Sequence, residues 1–561
     1  MNAVDAVVVE RLATGWHKPI SEPRRFALLV LGAFCSQWVL WFRILSCRTP
    51  LSMTILALAT LLFPLGTLLL ALTFRGIIVG SVVRLSVFNA IMNLGCILLD
   101  LGTVMTVITL FPVNRGPVVA SMKTFAGLGS VIVGCIQVAF FLGKTEQYFY
   151  FLMALVFVVG GACLVFLRLP SYHLTGYEEK HLSAEEKERR LARKAVYLRQ
   201  KPPTIRFGIG LGFVLVLIIF LPMQGALVAY KGLGQKYRIA FAAVVIALMV
   251  FYPTMALPLR SLERKETDCN SVSEPVDEPK KDNTEVTDVE KPEAVVETDL
   301  DYIAPQYQTT FFQNLRTPKM WALVWSYFCI VGSEFVIIFN ARFIFAALSG
   351  EKVSDELGTL LTVLNGVGSA VGRLLMSYFE IWTQKRKAED RIPITLSLFF
   401  PVTCVMLSMI FFLVLPKAAL PLPYVLAAMG NGFCAAVIVL VVRTILAKDP
   451  GKHYNFCFVG TVLSILFLNR LLYGEWYTRQ AERCGVTVCL EKSCVLMPLL
   501  FLLGVACTAF LSNLYVHFEY RRFCQRMLEE RQRVRDAAVG SESFPDTMME
   551  NVPRDDMSPQ N

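Results

Sequence analysis

Between Arg84 and Gly134 two long apolar stretches are joined by a short basic turn, Pro112-Val-Asn-Arg-Gly-Pro117. The first stretch, residues 85–111, is long enough to cross a bilayer with some tilt. It carries Asp100 near its middle, and Arg84 stands at its start. An ionisable side chain inside such a stretch is costly unless it faces a polar interior or a partner. The second stretch, residues 118–142, carries Gly127, Gly129 and Gly134, a small-residue face against which another helix can pack closely. Such a chain is expected to fold as membrane-spanning helices around something polar, which points to transport.

Composition supports the membrane reading. Of the 561 residues, 55% are hydrophobic and only 17% are charged, against about 25% charged in soluble domains. The net charge of +10 comes from basic residues in loops beside apolar runs, the pattern of cytoplasmic loops, so nucleic acid is not an expected partner. Most of the 15 cysteines lie inside apolar runs, where they read as small packing residues. Cys484, Cys489 and Cys494 share the loop 474–494. A disulfide there would leave one odd thiol; a soft-metal site is the alternative, although no histidine joins it. The five histidines are scattered, and no metal centre or cofactor is expected.

In chain order, residues 1–25 read as a soluble leader. Thirteen apparent spans follow, at 26–45, 51–74, 85–111, 118–142, 148–167, 207–230, 239–257, 320–345, 357–378, 394–415, 422–446, 456–473 and 495–518. This divides the chain into an N-terminal bundle (26–167), a basic cytoplasmic loop (168–206) with a short charged surface helix, two extra transmembrane helices (207–257), a disordered linker (258–319), a six-helix C-terminal bundle (320–518) and a tail (519–561) that is basic and then disordered. Placing the basic loops at 168–206, 384–391 and 519–535 in the cytoplasm puts residue 1 outside, with Arg24 and Arg25 on the wrong side. An even count would suit the charges better, so the N-terminal bundle is expected to be one helix short.

The segment Phe111-Pro-Val-Asn-Arg-Gly-Pro-Val-Val-Ala-Ser-Met-Lys-Thr-Phe-Ala-Gly-Leu-Gly129 resembles the F-P-x-x-R-G-x-V-V-x-x-x-K-x-x-x-G-L signature of the nodulin-like branch of the major facilitator transporters. Gln313-Asn-Leu-Arg-Thr-Pro-Lys-Met-Trp-Ala-Leu323 is similar to kinetoplastid members, and Leu364-Asn-Gly-Val-Gly-Ser-Ala-Val-Gly-Arg373 resembles the second helix of the C-terminal half. The resemblance covers about residues 75–525; between Ser36 and about residue 67 the chain departs from the family. It implies an all-α polytopic membrane protein of the major facilitator fold, two helix bundles with two extra central helices. Arg115, Gly116, Lys123 and Arg373 would be its signature or gating residues.

The candidate substrate or proton-coupling residues are Asp100, Glu334, Arg84, Asn365 and Asn431. Arg84 resembles a fourth-helix arginine used in proton coupling, and a snorkelling interfacial arginine is the alternative. Sixteen residues, roughly 24 Å of helix, separate Arg84 from Asp100, too far for a direct pair. Glu334 sits mid-span, where a lone carboxylate suits a proton or cation site; Arg342, two turns on, is its candidate partner. Asn365 and Asn431 read as helix-packing or substrate-contacting residues, and Arg373 and Arg443 as gating or lipid-contacting ones.

The expected function is secondary active transport of a small polar or ionic solute, an organic solute or a metal ion, by alternating access, with or without proton coupling. A non-transporting sensor, scaffold or degenerate paralogue is the alternative. No Walker motif suggests ATP drive, and no nucleophile and base suggest an enzyme. The expected partners are the lipid bilayer and the solute, in the plasma membrane by default or in an endosomal or organelle membrane.

Overall fold

The computed structural model describes residues 51–256 except 112–114, 168–169, 171, 173–181 and 193–203, and residues 304–542 except 385, 387–389 and 487. The leader, the apparent span at 26–45, the parity argument that rests on it and most of the linker lie outside the described residues. Twelve helices among those described are long and apolar enough to cross a membrane, and no strand is formed there beyond one isolated bridge between Tyr307 and Leu446. The chain is a multi-pass, all-helical membrane protein. In lipid every backbone N–H and C=O needs a partner within the protein, and a helix supplies them along its own length.

Four of these helices come first: α1 (Leu51–Phe74), α2 (Val82–Leu110), α3 (Arg115–Phe140) and α4 (Thr145–Phe166). A short charged helix, α5 (Ala184–Ala192), follows, with Glu186 beside both Arg189 and Arg190. Helices α6 (Thr204–Lys231) and α7 (Gln235–Phe251) precede the linker. These two pack into the same apolar core as α1–α4: Val214, Leu217, Leu221, Ala242 and Val245 join Leu56, Leu99 and Phe125 in one cluster.

After the linker come α8 (Pro318–Phe339), the short α9 (Ala341–Ser349), α10 (Asp355–Gln384), α11 (Phe399–Val414), α12 (Pro421–Ile445) and α13 (Pro450–Ser464). A π-helical segment, Ile465–Gly474, leads into α14 (Glu475–Arg483), and α15 runs unbroken over Ser493–Glu542. These helices share a second core, which includes Ile330, Val405, Val437 and Leu499.

Three sequence expectations change here. The span expected at 320–345 breaks at Asn340, where α8 ends and α9 begins. The Asn340 amide donates to Asn469 Oδ1 at 2.7 Å, tying the break to the π segment. The part of the linker expected to be disordered up to residue 319 is ordered from Ala304. There Tyr307 N–H donates to Ile445 O and Ala447 N–H to Tyr307 O, and the Tyr307 ring stacks on Phe523 at 4.2 Å. The helix expected to end at 518 continues to Glu542, because the charged tail consists largely of good helix formers, Arg, Glu, Gln, Leu and Met.

The two cores meet along α3 and α10. A Cβ on Gly127 would lie 2.9 Å from Ala370 N, and one on Gly366 would run into Val131 and lie 2.9 Å from Gly127 O. This is the close approach that small residues permit. Val363, Val367 and Ala370 of α10 accordingly belong to the first core, so α10 serves both parts of the molecule.

Candidate functional site

Helix α10 carries Asn365, Ser369, Arg373 and Ser377 at intervals of four, a spacing that keeps them along one side of a helix. Ser369, Arg373 and Ser377 are buried, and Asn365 Oδ1 is buried without a hydrogen-bond partner among the described residues. Two of these residues reach into separate polar clusters.

The first cluster lies between the two cores. Lys123 Nζ on α3 is 3.3 Å from Asp100 Oδ2 on α2. Arg373, only 6% exposed, donates from Nη1 to the backbone O of Lys123 at 2.9 Å, and the Asp100 charge acts on it electrostatically. Sequence reading placed Arg373 near a span end, in a gating or lipid contact. It is buried and bonded to α3, which rules out the lipid contact and leaves the gating reading in place, because the glycine-rich face of α10 brings the two helices together.

The second cluster lies within the second core. Glu334 on α8 is 0% exposed. Asn431 Nδ2 on α12 donates to Glu334 Oε2 at 3.3 Å, and Ser369 Oγ donates to Asn431 Oδ1 at 3.4 Å. Glu334 Oε1 has no hydrogen-bond partner among the described residues. The candidate partner Arg342 is not used. It lies on α9, beyond the break at Asn340, and pairs with Asp355 at 3.2 Å. A carboxyl group held by an amide and a glycine-rich helix, with no cation bonded to it, is a place where a proton can be held or released as the surroundings change.

The remaining candidates are dispersed. Arg84 is exposed at the first turn of α2 and donates to Val79 O at 3.0 Å, an interfacial position apart from both clusters. Arg115 and Gly116 open α3, and the Arg115 side chain lies outside the described residues. Arg443 pairs with Glu380. Cys489 and Cys494 form a disulfide, Cys484 is a free exposed thiol, and Tyr477 Oη accepts the Cys489 N–H at 3.0 Å. Among the described residues no group of three metal-ligating side chains comes together.

Sequence reading missed a second link between the parts, Arg238 at the start of α7 with Glu356 at the start of α10, 3.2 Å apart. It also missed Ser369, which lay in plain view within the glycine-rich run 366–372 and four residues before Arg373.

No family model matches the chain, and no curated protein matches it. Among solved structures, the E. coli fucose:proton symporter is similar at 10% identity, over 88% of this chain and 97% of that one, with a TM-score of 0.33.

Proposed function

We propose that this chain is a secondary transporter of the major facilitator type, moving a small polar or ionic solute by alternating access between two groups of helices. The observation that carries this reading is the seam between α3 and α10. There the Asp100 carboxylate, ion-paired with the half-buried Lys123, and the Arg373 guanidinium are buried inside membrane-spanning helices, at the junction of two separate cores. Charges at that depth are costly and mark pathways or relays more often than structure. Assignment to the nodulin-like branch rests on sequence likeness, chiefly that of residues 111–129, with 313–323 and 364–373 beside it.

The two links between the parts lie on different levels of α10. Glu356 belongs to its first turn and Arg373 to its second half, about 17 residues or roughly 25 Å apart along the axis. Alternating access needs contacts of this kind, one released while the other holds. Glu334 would be the protonation site: neutralising it changes the Asn431–Ser369 chain of hydrogen bonds, and Ser369 sits one turn before Arg373. Proton binding would thus reach the seam through α10.

The test is reconstitution in proteoliposomes with a trapped pH-sensitive dye. Monocarboxylates, sugars, amino acids and divalent metal ions are supplied in turn, with their uptake followed directly. One class should enter, and its entry should acidify the lumen with the wild type and not with Glu334→Gln. Folded wild-type protein that moves none of these classes would overturn the reading.

A further inference from the structure

A cavity that the transport reading does not use lies on the side where the linker rejoins the helices. It has a volume of about 360 Å³ and is lined by Arg391, Thr444, His517, Tyr520, Arg521 and Gln525 among others. No Asp or Glu lines it among the described residues. Two guanidinium groups and an imidazole therefore face one small space with no carboxylate in its walls. Arg521 forms no ion pair among the described residues. Arg443 and Arg342 on neighbouring helices, by contrast, are paired with Glu380 and Asp355.

The walls are fixed by bonds pointing elsewhere. Thr395 Oγ1 and His517 Nδ1 are 2.9 Å apart, which orients the imidazole and leaves Nε2 for another partner. Tyr520 Oη donates to Pro305 O at 2.9 Å, so the ordered end of the linker closes one rim. Arg391 Nη2 donates to Arg386 O at 3.0 Å. Burial draws the Arg391 pKa down from its ordinary value, a direction that a bound anion would oppose.

Position supplies the rest. Arg391 stands three residues before Ile394, where a membrane-crossing segment starts. His517 and Arg521 lie where α15 passes from an apolar run into the basic run Arg521, Arg522, Arg526. The cavity is therefore at the level of the lipid headgroups. Basic pockets between helices at that level suit anionic headgroups, and the planar guanidinium fork matches the oxygens of a phosphate.

We propose that this cavity binds a phosphate group at the membrane surface, either on the headgroup of an anionic phospholipid or as free phosphate, between Arg391, Arg521 and His517. The site stands apart from the solute pathway and does not depend on it.

The experiment uses the full chain in nanodiscs of phosphatidylcholine. One arm adds a small fraction of phosphatidylinositol 4-phosphate, and the other adds inorganic phosphate to the buffer. Thermal unfolding and native mass spectrometry report binding. A saturable rise in the unfolding midpoint with retained lipid identifies the headgroup; the same rise with inorganic phosphate alone identifies the free ion. In either case Arg521→Gln, an exposed position, should weaken binding about tenfold, Arg521→Lys less, and Arg391→Gln at least as much. Arg522→Gln with Arg526→Gln, on the same helix but outside the cavity, should leave binding unchanged. Equal weakening by that control would mean diffuse attraction to a basic helix and would overturn the proposal, as would the absence of saturable binding in both arms.

Discussion

Asp100 and Glu334 are both carboxyl groups deep in membrane-spanning helices, yet they are accommodated differently. Asp100 has Lys123 Nζ at 3.3 Å and sits where the two cores meet. Glu334 is 0% exposed inside one core, and the hydrogen bond that reaches it comes from an amide, Asn431. A charge pair across a seam is anchored to the relative position of two bodies. A carboxyl group inside one body is free to change its protonation without breaking that body apart. The first arrangement suits a contact that opens and closes, the second a site that loads a proton. Helix α10 touches both, through Arg373 and Ser369.

Substitutions can break or sharpen this contrast. The largest effect is expected at Gly432, on α12 beside Asn431, where an added Cβ would run into the backbone O of Ser369. Backbone cannot rotate away, so Gly432→Ala should cost about 3 kcal/mol of stability. The matching change at the seam, Gly366→Ala, meets the Val131 side chain as well as Gly127 O at 2.9 Å. A methyl can turn aside and two bodies can slide, so about 1 kcal/mol is expected there. Thermal unfolding in detergent measures both. Equal costs would mean that the seam is as rigid as the interior of one core.

Next in size is Asp100→Ala, which leaves the Lys123 ammonium without this partner. Breaking a buried pair costs about 3–5 kcal/mol. The Lys123 side chain is 25% exposed, so about 2 kcal/mol is the expected loss, and Asp100→Asn with Lys123→Met should recover most of it. Asn431→Ala should cost about 2 kcal/mol, the net worth of the two hydrogen bonds it makes with Glu334 and Ser369. Glu334→Gln keeps the shape and the amide contact, so its stability should lie within about 0.5 kcal/mol of the wild type while proton-coupled uptake disappears. A Glu334→Gln protein that falls apart would show that the carboxyl group is structural.

Much of the architecture was legible because lipid leaves the backbone few choices: twelve of the thirteen apparent spans correspond to long apolar helices, and the remaining one lies outside the described residues. Asp100 and Glu334 were legible as charges in apolar runs. Their partners were less so. Lys123 entered only through the likeness of its segment to a family signature, and Asn431 through its flanking glycines. Arg342 was misassigned because an i+8 spacing holds only along one unbroken helix, and nothing in Phe339-Asn-Ala-Arg342 announces the break at Asn340. The Arg238–Glu356 pair joins residues 118 apart in sequence, and no local pattern encodes it. The stripe of Asn365, Ser369, Arg373 and Ser377 could have been read, since four-residue spacing is visible in any helix; the glycines between them drew attention to packing instead.

The central claim is that two groups of helices move against each other around α10. The most direct measurement replaces the ion pair at the start of α7 and α10 by cysteines, Arg238→Cys with Glu356→Cys, and follows uptake of the solute class found in proteoliposomes before and after oxidation. The account predicts normal uptake in each single variant, loss of uptake when the pair is cross-linked and recovery on adding reductant. Uptake that continues at full rate through a quantitatively cross-linked protein would contradict it.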